Sequence, residues 1–188
     1  MPTPILQVII ASTRPGRVGK AVADYIVGYL AEHDQFQIEV VDLLERNLPL
    51  MDEPNHPRMH RYTHEHTKAW SETISRGDAF LLVMPEYNYS FTAPLKNALD
   101  YLSVEWRGKP VALASYGGIS GGLRGATALN PVLNVLGLRL APAAIAIPWV
   151  ASHIENGQFV GYEPLNRSID AVYDSLVELQ AASAAERA

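Results

Sequence analysis

Short segments that are apolar along their whole length constrain the fold of this chain more than any other feature of its sequence. Ile5–Ile10 and Phe80–Met84 are the clearest of them, and Val111–Ala114 and Ala143–Ile147 have the same character. A strand that is apolar on both faces needs cover on both faces, which is typical of a parallel sheet packed between helices. Gln37–Val41 alternates more regularly between polar and apolar residues and is predicted to lie nearer an edge of the sheet.

Segments with the periodicity of amphipathic helices lie between and after these predicted strands. They are Lys20–Leu30, Thr67–Ser75, Leu95–Leu102, Leu123–Leu136 and Leu165–Leu179. Five strands that alternate with five helices predict a doubly wound α/β fold. The 188 residues contain no internal repeat and no linker-like break, so we expect a single domain, 1–188.

Composition excludes several classes of function. The net charge of -5 lacks the excess of positive charge that is typical of proteins that bind nucleic acids or membrane surfaces, so neither partner is expected. The chain has no cysteine, which excludes disulfides, zinc–thiolate sites, iron–sulfur clusters and thiol catalysis. No apolar run reaches the roughly 18 residues that span a bilayer, and no signal peptide is apparent, so a cytoplasmic protein is expected.

The loop between the first strand and the first helix, residues 11–20, combines hydroxyl, basic and glycine residues. In open α/β sheets, ligands bind beyond the carboxyl ends of the strands, and a helix that begins there offers free N–H groups to an anion. Hydroxyl groups and positive charges come from Ser12, Thr13, Arg14, Arg17 and Lys20. The spacing of Gly16 and Lys20 does not fit a Walker A loop. The loop predicts a phosphate site, and the alternative is a solvated basic turn.

The loop after the most apolar strand, Pro85–Thr92, contains two tyrosines and an asparagine. These side chains could bracket a flat ring and form hydrogen bonds with its edge. The alternative is an ordinary turn whose aromatic side chains fold back into the core. Thr92 is predicted to cap the following helix, and Pro94 suits the first turn of that helix.

The loop after the fourth strand, Ser115–Gly122, has four glycines in six residues, which would let backbone N–H groups approach a ligand closely. Gly118–Gly122 also fits the G-x-S-x-G nucleophile elbow of α/β-hydrolases. That family orders its triad as serine, acidic residue and histidine. No acidic residue lies between Ser120 and His153, the last histidine, so the hydrolase hypothesis is not favoured.

All three of these loops carry motifs of a known family. Pro85–Ser90, followed by Pro94–Asp100, resembles the P-E-Y-N-x-S…P-L-K-N-A-[LI]-D signature of the NADPH-dependent FMN reductases of flavodoxin-like fold, which include quinone, azo-dye and chromate reductases. Ser12 and Arg14 resemble the G-S-x-R phosphate motif of that family, and Ser115–Gly118 resembles its S-x-G-G segment. The resemblance covers about residues 5–150.

The phosphate loop departs from the family pattern. Ala11 replaces the usual glycine, and Arg17, Val18 and Gly19 stand where many relatives carry serine and asparagine. Contacts to phosphate are therefore expected from backbone N–H groups and from Arg17.

The resemblance implies a five-stranded parallel sheet of order 2-1-3-4-5, bound FMN, NAD(P)H as co-substrate, and a homodimer or a dimer of dimers. No catalytic side chain is predicted, because the flavin performs the chemistry and the protein positions it. Backbone N–H groups of Gly117 and Gly118 are expected to face the charge that develops on the reduced ring. The implied cofactor-binding residues are Ser12, Arg14, Arg17, Val18, Gly19, Lys20, Pro85, Glu86, Tyr87, Asn88, Tyr89, Ser115, Tyr116, Gly117 and Gly118.

The resemblance favours an FMN-dependent NAD(P)H oxidoreductase. It would pass electrons by a ping-pong mechanism to a small acceptor, such as a quinone, an azo or nitro compound, a metal oxyanion or a flavin. The alternative is a non-enzymatic flavoprotein, either an electron carrier or a redox-responsive partner. A flavodoxin-type carrier usually has a Ser/Thr-rich phosphate loop and a strongly acidic surface, whereas this loop is basic. Trp106 and Trp149 could each line a pocket or lie at a subunit contact, and the sequence leaves both open.

The longest irregular stretch, from about Glu45 to Tyr62, contains three prolines, and a loop of this length is expected to be functional or mobile. His56, His60 and His64 follow one another at intervals of four. Pro57 interrupts the first interval and neighbouring arginines would repel a cation, so no metal site is predicted.

Overall fold

The computed structural model describes residues 2–187. Its strands are β1 Ile5–Ile10, β2 Gln37–Asp42, β3 Ala79–Pro85, β4 Pro110–Tyr116, β5 Arg139–Leu140, β6 Ile145–Ile147, β7 Ile154–Glu155 and β8 Gln158–Phe159. Its α-helices are α1 Gly19–Leu30, α2 Leu43–Arg46, α3 Glu65–Arg76, α4 Ala93–Asp100, α5 Leu123–Leu136 and α6 Glu163–Arg187, with 3-10 turns at Pro57–Met59 and Val150–His153. Among these residues, no helix combines the length and the apolar composition that crossing a bilayer requires.

The main sheet is parallel and has the order β2-β1-β3-β4, with both β5 and β6 paired to the outer side of β4. This is the predicted flavodoxin-like arrangement. Successive strand residues alternate between its two faces: Leu81 packs in the cluster covered by α1 and α6, and Leu82 in the cluster covered by α3, α4 and α5. The prediction that the central strands need cover on both faces is confirmed, because every residue of β3 and β4 is buried.

The fifth strand differs from the prediction of one segment at Ala143–Ile147. It is divided into β5, which pairs with β4 near Pro110, and β6, which pairs with β4 near Ala114. Pro142 lies between the two pieces and has no N–H to donate to a ladder, which gives a physical reason for the gap. The last helix is also longer than Leu165–Leu179, since it runs from Glu163 to Arg187.

The N-cap of α4 confirms the prediction for Thr92. Its hydroxyl accepts a hydrogen bond from the Leu95 N–H at 3.3 Å and donates one to the Ala11 carbonyl at 3.0 Å. Thr92 therefore starts the helix and also ties its start to the loop that follows β1.

The stretch from Glu45 to Tyr62 is held against α4 by side-chain hydrogen bonds. Asn97 donates to the Pro49 carbonyl at 2.7 Å and accepts from the Met51 N–H at 2.9 Å. The Tyr101 hydroxyl contacts the Pro49 carbonyl at 3.1 Å and Asp52 Oδ1 at 3.0 Å. This proline-rich stretch therefore has a defined path along α4.

Candidate functional site

Three loops meet where neighbouring strands end. β1 lies beside β3, with Ile10 opposite Val83, and β3 lies beside β4, with Pro85 opposite Tyr116. The loops that follow these strands, residues 11–18, 86–92 and 117–122, therefore emerge together at the carboxyl edge of the sheet. This is the position at which open α/β sheets bind their ligands.

The first of these loops leads into an open helix terminus. Val18 is the N-cap of α1 but provides no side-chain hydrogen bond, and the first turn carries no acidic residue. The N–H groups of a first helical turn have no acceptor within the helix. Together with the positive end of the helix dipole, they form a site suited to a phosphate.

Two hydroxyl groups lie against this terminus. Ser12 is fully buried, and its Oγ forms no hydrogen bond of good geometry among the described residues, with the Tyr116 hydroxyl as its polar neighbour. Burial raises the pKa of Tyr116 to about 12, so its phenol stays protonated and can donate. A Cβ at Gly19 would overlap both the Tyr116 hydroxyl and Ser12 Oγ, so glycine is needed for this close approach. A buried hydroxyl without a hydrogen bond of good geometry, beside free N–H groups, suits an oxyanion ligand.

The three cationic residues of the loop have different surroundings. Arg17 donates to both carboxylate oxygens of Asp42, at 2.6 and 2.5 Å, and to the Ser12 carbonyl at 2.6 Å. Lys20 pairs with Asp24 on the exposed side of α1 at 2.7 Å. Arg14 is exposed and forms no ion pair within residues 2–187. Arg17 lines the same cleft as Arg14, but its charge is already matched by Asp42 whereas that of Arg14 is not, so a direct contact from Arg17 to phosphate stays a prediction.

The second loop forms a tight turn that presents aromatic rings to solvent. The Tyr87 N–H donates to the Ser90 carbonyl at 2.9 Å, and the Ser90 N–H donates to the Tyr87 carbonyl at 3.0 Å. Between them, Asn88 and Tyr89 have φ of 49° and 67°, which is the left-handed pair of a type I′ turn. Tyr87 is 37% exposed and Tyr89 is 68% exposed. The alternative in which these rings fold back into the core is therefore wrong.

Glu86 links the second loop to the third through its side chain. Its Oε2 accepts hydrogen bonds from Ser120 Oγ at 2.9 Å and from the Arg124 N–H at 3.1 Å, and its Oε1 pairs with the Arg124 guanidinium at 2.5 Å. The Arg124 guanidinium holds the pKa of Glu86 below its usual range. The Glu86 N–H donates to the Tyr116 carbonyl at 3.0 Å and is thereby committed to the sheet.

This network also gives Ser120 a structural role. Ser120 Oγ donates to a carboxylate and accepts from Arg124 Nη2 at 3.1 Å. The serine of an α/β-hydrolase triad needs a histidine base within hydrogen-bond reach. His153 instead stacks on Tyr162, with ring centroids 4.6 Å apart. The geometry agrees with the sequence argument against a nucleophile elbow.

Arg124 and Gly125, at the start of α5, complete the contact with the second loop. The Arg124 guanidinium lies over the Tyr89 ring, 3.8 Å from its centroid, which is a cation–π contact. A Cβ at Gly125 would lie 2.9 Å from the Ser90 carbonyl oxygen, so α5 packs directly on the backbone of the turn. The sequence analysis missed Arg124, and its only local signal is its position one turn after Ser120.

The third loop uses part of its backbone to hold itself in place. The Gly117 N–H donates to the Ile147 carbonyl at 3.2 Å, and Ser115 Oγ donates to the Gly121 carbonyl at 2.9 Å. The predicted donor role of the Gly117 N–H toward a flavin is therefore not supported, because this group is committed to the sheet edge. Ser115 is likewise a buried scaffold residue, and Gly118 is the exposed member of the pair.

The two tryptophans that the sequence left open have opposite positions. Trp106 is buried to 1% exposure beside Phe80, whereas Trp149 is 60% exposed. The Trp149 N–H donates to the Gly118 carbonyl at 3.0 Å, and the residue has a left-handed φ of 50°. Trp149 therefore borders a cleft next to the glycine loop, while Trp106 belongs to the core.

Eight of the fifteen predicted cofactor-binding residues line two clefts at the carboxyl ends of the strands. One cleft is lined by Arg14, Gly16, Arg17, Val18, Pro85, Tyr87 and Tyr116. The other is lined by Gly117, Gly118, Trp149, Val150, Ala151 and Ser152. The predicted residues that line neither cleft are Ser12, Gly19, Lys20, Glu86, Asn88, Tyr89 and Ser115. The donor set of the first cleft suits a phosphate dianion, and the exposed aromatic turn beside it suits a flat ring.

The histidines of the irregular stretch have other partners. His56 Nδ1 accepts from the Arg58 N–H at 3.2 Å, His60 lies 3.3 Å from the Glu105 carboxylate, and His64 stacks on His66. No cluster of three or more histidine or acidic side chains with the geometry of a metal site occurs within the described range.

Comparison with known proteins identifies the family. The model of the NADPH-dependent FMN reductase family matches residues 5–150. An NAD(P)H-dependent FMN reductase of Schizosaccharomyces pombe is 40% identical over 157 residues, which are 82% of this chain and 78% of the relative. A relative with the same description from Nectria sp. is 38% identical over 153 residues, 78% of this chain and 76% of that protein.

A solved structure extends the likeness to the whole fold. The flavoenzyme NAD(P)H:(acceptor) oxidoreductase FerB of Paracoccus denitrificans superposes with a TM-score of 0.74 at 21% identity, covering 96% of this chain and 98% of FerB. The family consists of oxidoreductases that use FMN, with NAD(P)H as electron donor. The match over residues 5–150, which include all three loops of the site, shows that this chain belongs to the NADPH-dependent FMN reductase family.

Proposed function

We propose that this chain binds FMN in the cleft at the carboxyl edge of its sheet and catalyses NAD(P)H-dependent reduction of a small-molecule acceptor by a ping-pong mechanism. The observation that carries the proposal is the open N-terminus of α1 with the buried Ser12 hydroxyl, which forms no hydrogen bond of good geometry, beside it. Arg14, which forms no ion pair within residues 2–187, favours an enzyme over a carrier, because a cation at this cleft also attracts the phosphates of a pyridine nucleotide.

In this proposal the first loop holds the phosphate of FMN. Backbone N–H groups from Val18 and Gly19 onward, the Ser12 hydroxyl and the Arg14 guanidinium are the donors. A bidentate guanidinium and several N–H groups together match the charge and geometry of a phosphate dianion. The proposal leaves Lys20 as a more distant charge, since Asp24 already pairs with it.

The second and third loops hold and border the ring. Tyr87, Asn88 and Tyr89 lie on a turn whose shape is fixed by the Tyr87–Ser90 hydrogen bonds and by α5 beneath it. Gly118 offers an exposed backbone at the next strand end. When bound, FMN supplies the capacity to accept a hydride and to release electrons to a second substrate. We propose no side chain as acid, base or nucleophile.

Initial-rate kinetics tests the proposed function. NADPH and a soluble quinone are varied together, and parallel lines in double-reciprocal plots are expected because donor and acceptor alternate at one site. Lines that intersect would contradict the alternation. Absence of turnover with quinone, azo, nitro, metal-oxyanion and flavin acceptors, while FMN is bound, would favour the carrier alternative.

Replacing Trp149 is expected to change acceptor selectivity. An exposed indole at the rim of the glycine-loop cleft can stack on an aromatic substrate, and such a contact is worth about 0.5–1.5 kcal/mol. Trp149→Ala should therefore lower kcat/KM for a bicyclic quinone about two- to tenfold more than for benzoquinone. Trp106→Phe provides a buried control, for which the ratio between the two quinones should not change. An unchanged ratio in Trp149→Ala would remove this residue from the acceptor site.

A homodimer, or a dimer of dimers, is also part of this proposal, as is a cytoplasmic location, where NAD(P)H is available. Exposed apolar side chains at Leu50, Met51 and Val135 lie near α4 and α5 and would be covered by a second subunit. Sedimentation equilibrium at micromolar concentration should give at least twice the 20.6 kDa chain mass. A 20.6 kDa species alone would contradict the homodimer.

A further inference from the structure

Arg17 and Asp42 form a fork-to-fork ion pair between the phosphate loop and the end of β2. Arg17 Nη1 lies 2.6 Å from Asp42 Oδ1, and Nη2 lies 2.5 Å from Oδ2. Only 11% of the Arg17 side chain and 4% of the Asp42 side chain are exposed. A two-pronged pair with this little exposure fixes orientation as well as distance.

The carboxylate at the centre of this pair has further donors. Asp42 Oδ1 also accepts the Leu44 N–H at 3.0 Å, which caps the short helix α2. Although burial acts to raise the pKa of Asp42, the hydrogen bonds from Arg17 and Leu44 outweigh it, and the pKa lies below its ordinary value. Asp42 is therefore a carboxylate held in place at the end of β2.

Arg17 also forms hydrogen bonds with the loop to which the proposed function assigns the phosphate. Arg17 Nη1 donates to the Ser12 carbonyl at 2.6 Å, and the Arg17 N–H donates to the Arg14 carbonyl at 3.1 Å. The Arg17 side chain thus holds the backbone of Ser12, and the Arg17 N–H closes the turn that contains Arg14.

We propose that Asp42 is a positioning residue for FMN binding, acting through Arg17 to hold the loop from Ser12 to Arg17 in the shape that receives the phosphate. Arg17 then stabilises the conformation of the loop and does not contact the phosphate directly. This inference rests on the proposed function, because it requires FMN phosphate at this loop.

The alternative is that Arg17 leaves Asp42 and contacts the phosphate itself. Substitution at Asp42 separates the two roles, because it would release Arg17 toward the phosphate in the alternative and would loosen the loop in our proposal. Arg17→Lys also distinguishes a direct phosphate contact from stabilisation of the loop. A lysine can contact phosphate as a point charge, but it cannot form the two-pronged pair with Asp42 and hold the Ser12 carbonyl together.

The test measures dissociation constants of FMN and riboflavin by flavin fluorescence for the wild type, Asp42→Asn, Arg17→Met, Arg17→Lys and the Asp42→Asn/Arg17→Met double variant. Arg76→Met is the matched control, because it breaks another arginine–carboxylate pair to β2, with Glu39, away from the loop. We expect each variant at Asp42 or Arg17 to weaken FMN binding about tenfold while riboflavin binding is unchanged. The double variant should be no worse than either single one, and Arg76→Met should bind both ligands as the wild type does.

Three results would overturn the inference. They are unchanged or tighter FMN binding in Asp42→Asn, retained FMN affinity in Arg17→Lys with loss in Arg17→Met, and additive losses in the double variant. If Asp42→Asn does not fold, the comparison of Arg17→Lys with Arg17→Met still decides. A wild-type protein that binds FMN and riboflavin equally would instead contradict the proposed phosphate site itself, which distinguishes the two failures.

Discussion

Replacing Arg14 with alanine is expected to weaken FMN binding about ten- to a hundredfold and to leave riboflavin binding almost unchanged. Hydrogen bonds to charged groups contribute about 1.5–3 kcal/mol each, and this range corresponds to that loss of affinity. Arg14 is exposed at the mouth of the cleft, and its guanidinium has no acidic partner within residues 2–187. Titration of protein into each flavin, followed by flavin fluorescence, gives both dissociation constants.

The control for this prediction removes a positive charge elsewhere. Lys68 lies on α3 and pairs with Glu65 at the surface, so Lys68→Ala changes the net charge equally without touching the loop. It should leave both dissociation constants unchanged. Equal losses of FMN and riboflavin affinity in Arg14→Ala would show that Arg14 does not contact the phosphate.

Replacing Gly122 with alanine is expected to lower the free energy of unfolding by about 2–4 kcal/mol. Gly122 has φ of 85°, and a Cβ there would lie 2.6 Å from the Tyr116 nitrogen and 2.7 Å from Ser115 Cβ. Left-handed strain and overlap with the backbone of β4 both contribute. Thermal unfolding should show a midpoint about 5–15 °C lower, because each kcal/mol of lost stability lowers the midpoint of a chain of this length by about 2–4 °C.

Gly28→Ala is the matched control for this substitution. Gly28 lies inside α1, and no atom of a described neighbour comes within 4 Å of a Cβ built on it. Alanine there should be neutral or stabilising by up to about 1 kcal/mol, because glycine loses more backbone entropy in a helix. If Gly122→Ala unfolds at the same temperature as the wild type, the glycine loop must adopt a different path from the one described.

Local patterns were sufficient to predict the elements that position the site. The apolar runs of β3 and β4 are buried throughout and that of β1 from Leu6 onward, and the Thr92 cap follows from residue type and position alone. These features depend on residues close together in the sequence. Pro142, between Arg139–Leu140 and Ile145–Ile147, is a local signal for the division of the fifth strand.

Pairings between distant residues could not be predicted in the same way. Arg14 and Arg17 are both basic residues of one loop, and only the approach of Asp42, 25 residues further along, gives Arg17 a different role. Likewise, the Glu86 carboxylate meets Arg124 across 38 residues. Such contacts depend on how the strand ends lie beside one another, and a single sequence does not specify which charged side chains then meet.

The central claim is that this chain accepts electrons from a pyridine nucleotide on bound FMN and delivers them to a second substrate. Anaerobic stopped-flow mixing of the FMN-loaded protein with NADPH, and separately with NADH, tests it most directly. We expect at least one nucleotide to bleach the visible absorbance of the flavin within the turnover time, and a quinone added afterwards to restore it. Persistent absorbance with both nucleotides, in a protein whose flavin is bleached by dithionite, would contradict the claim and would favour an electron carrier.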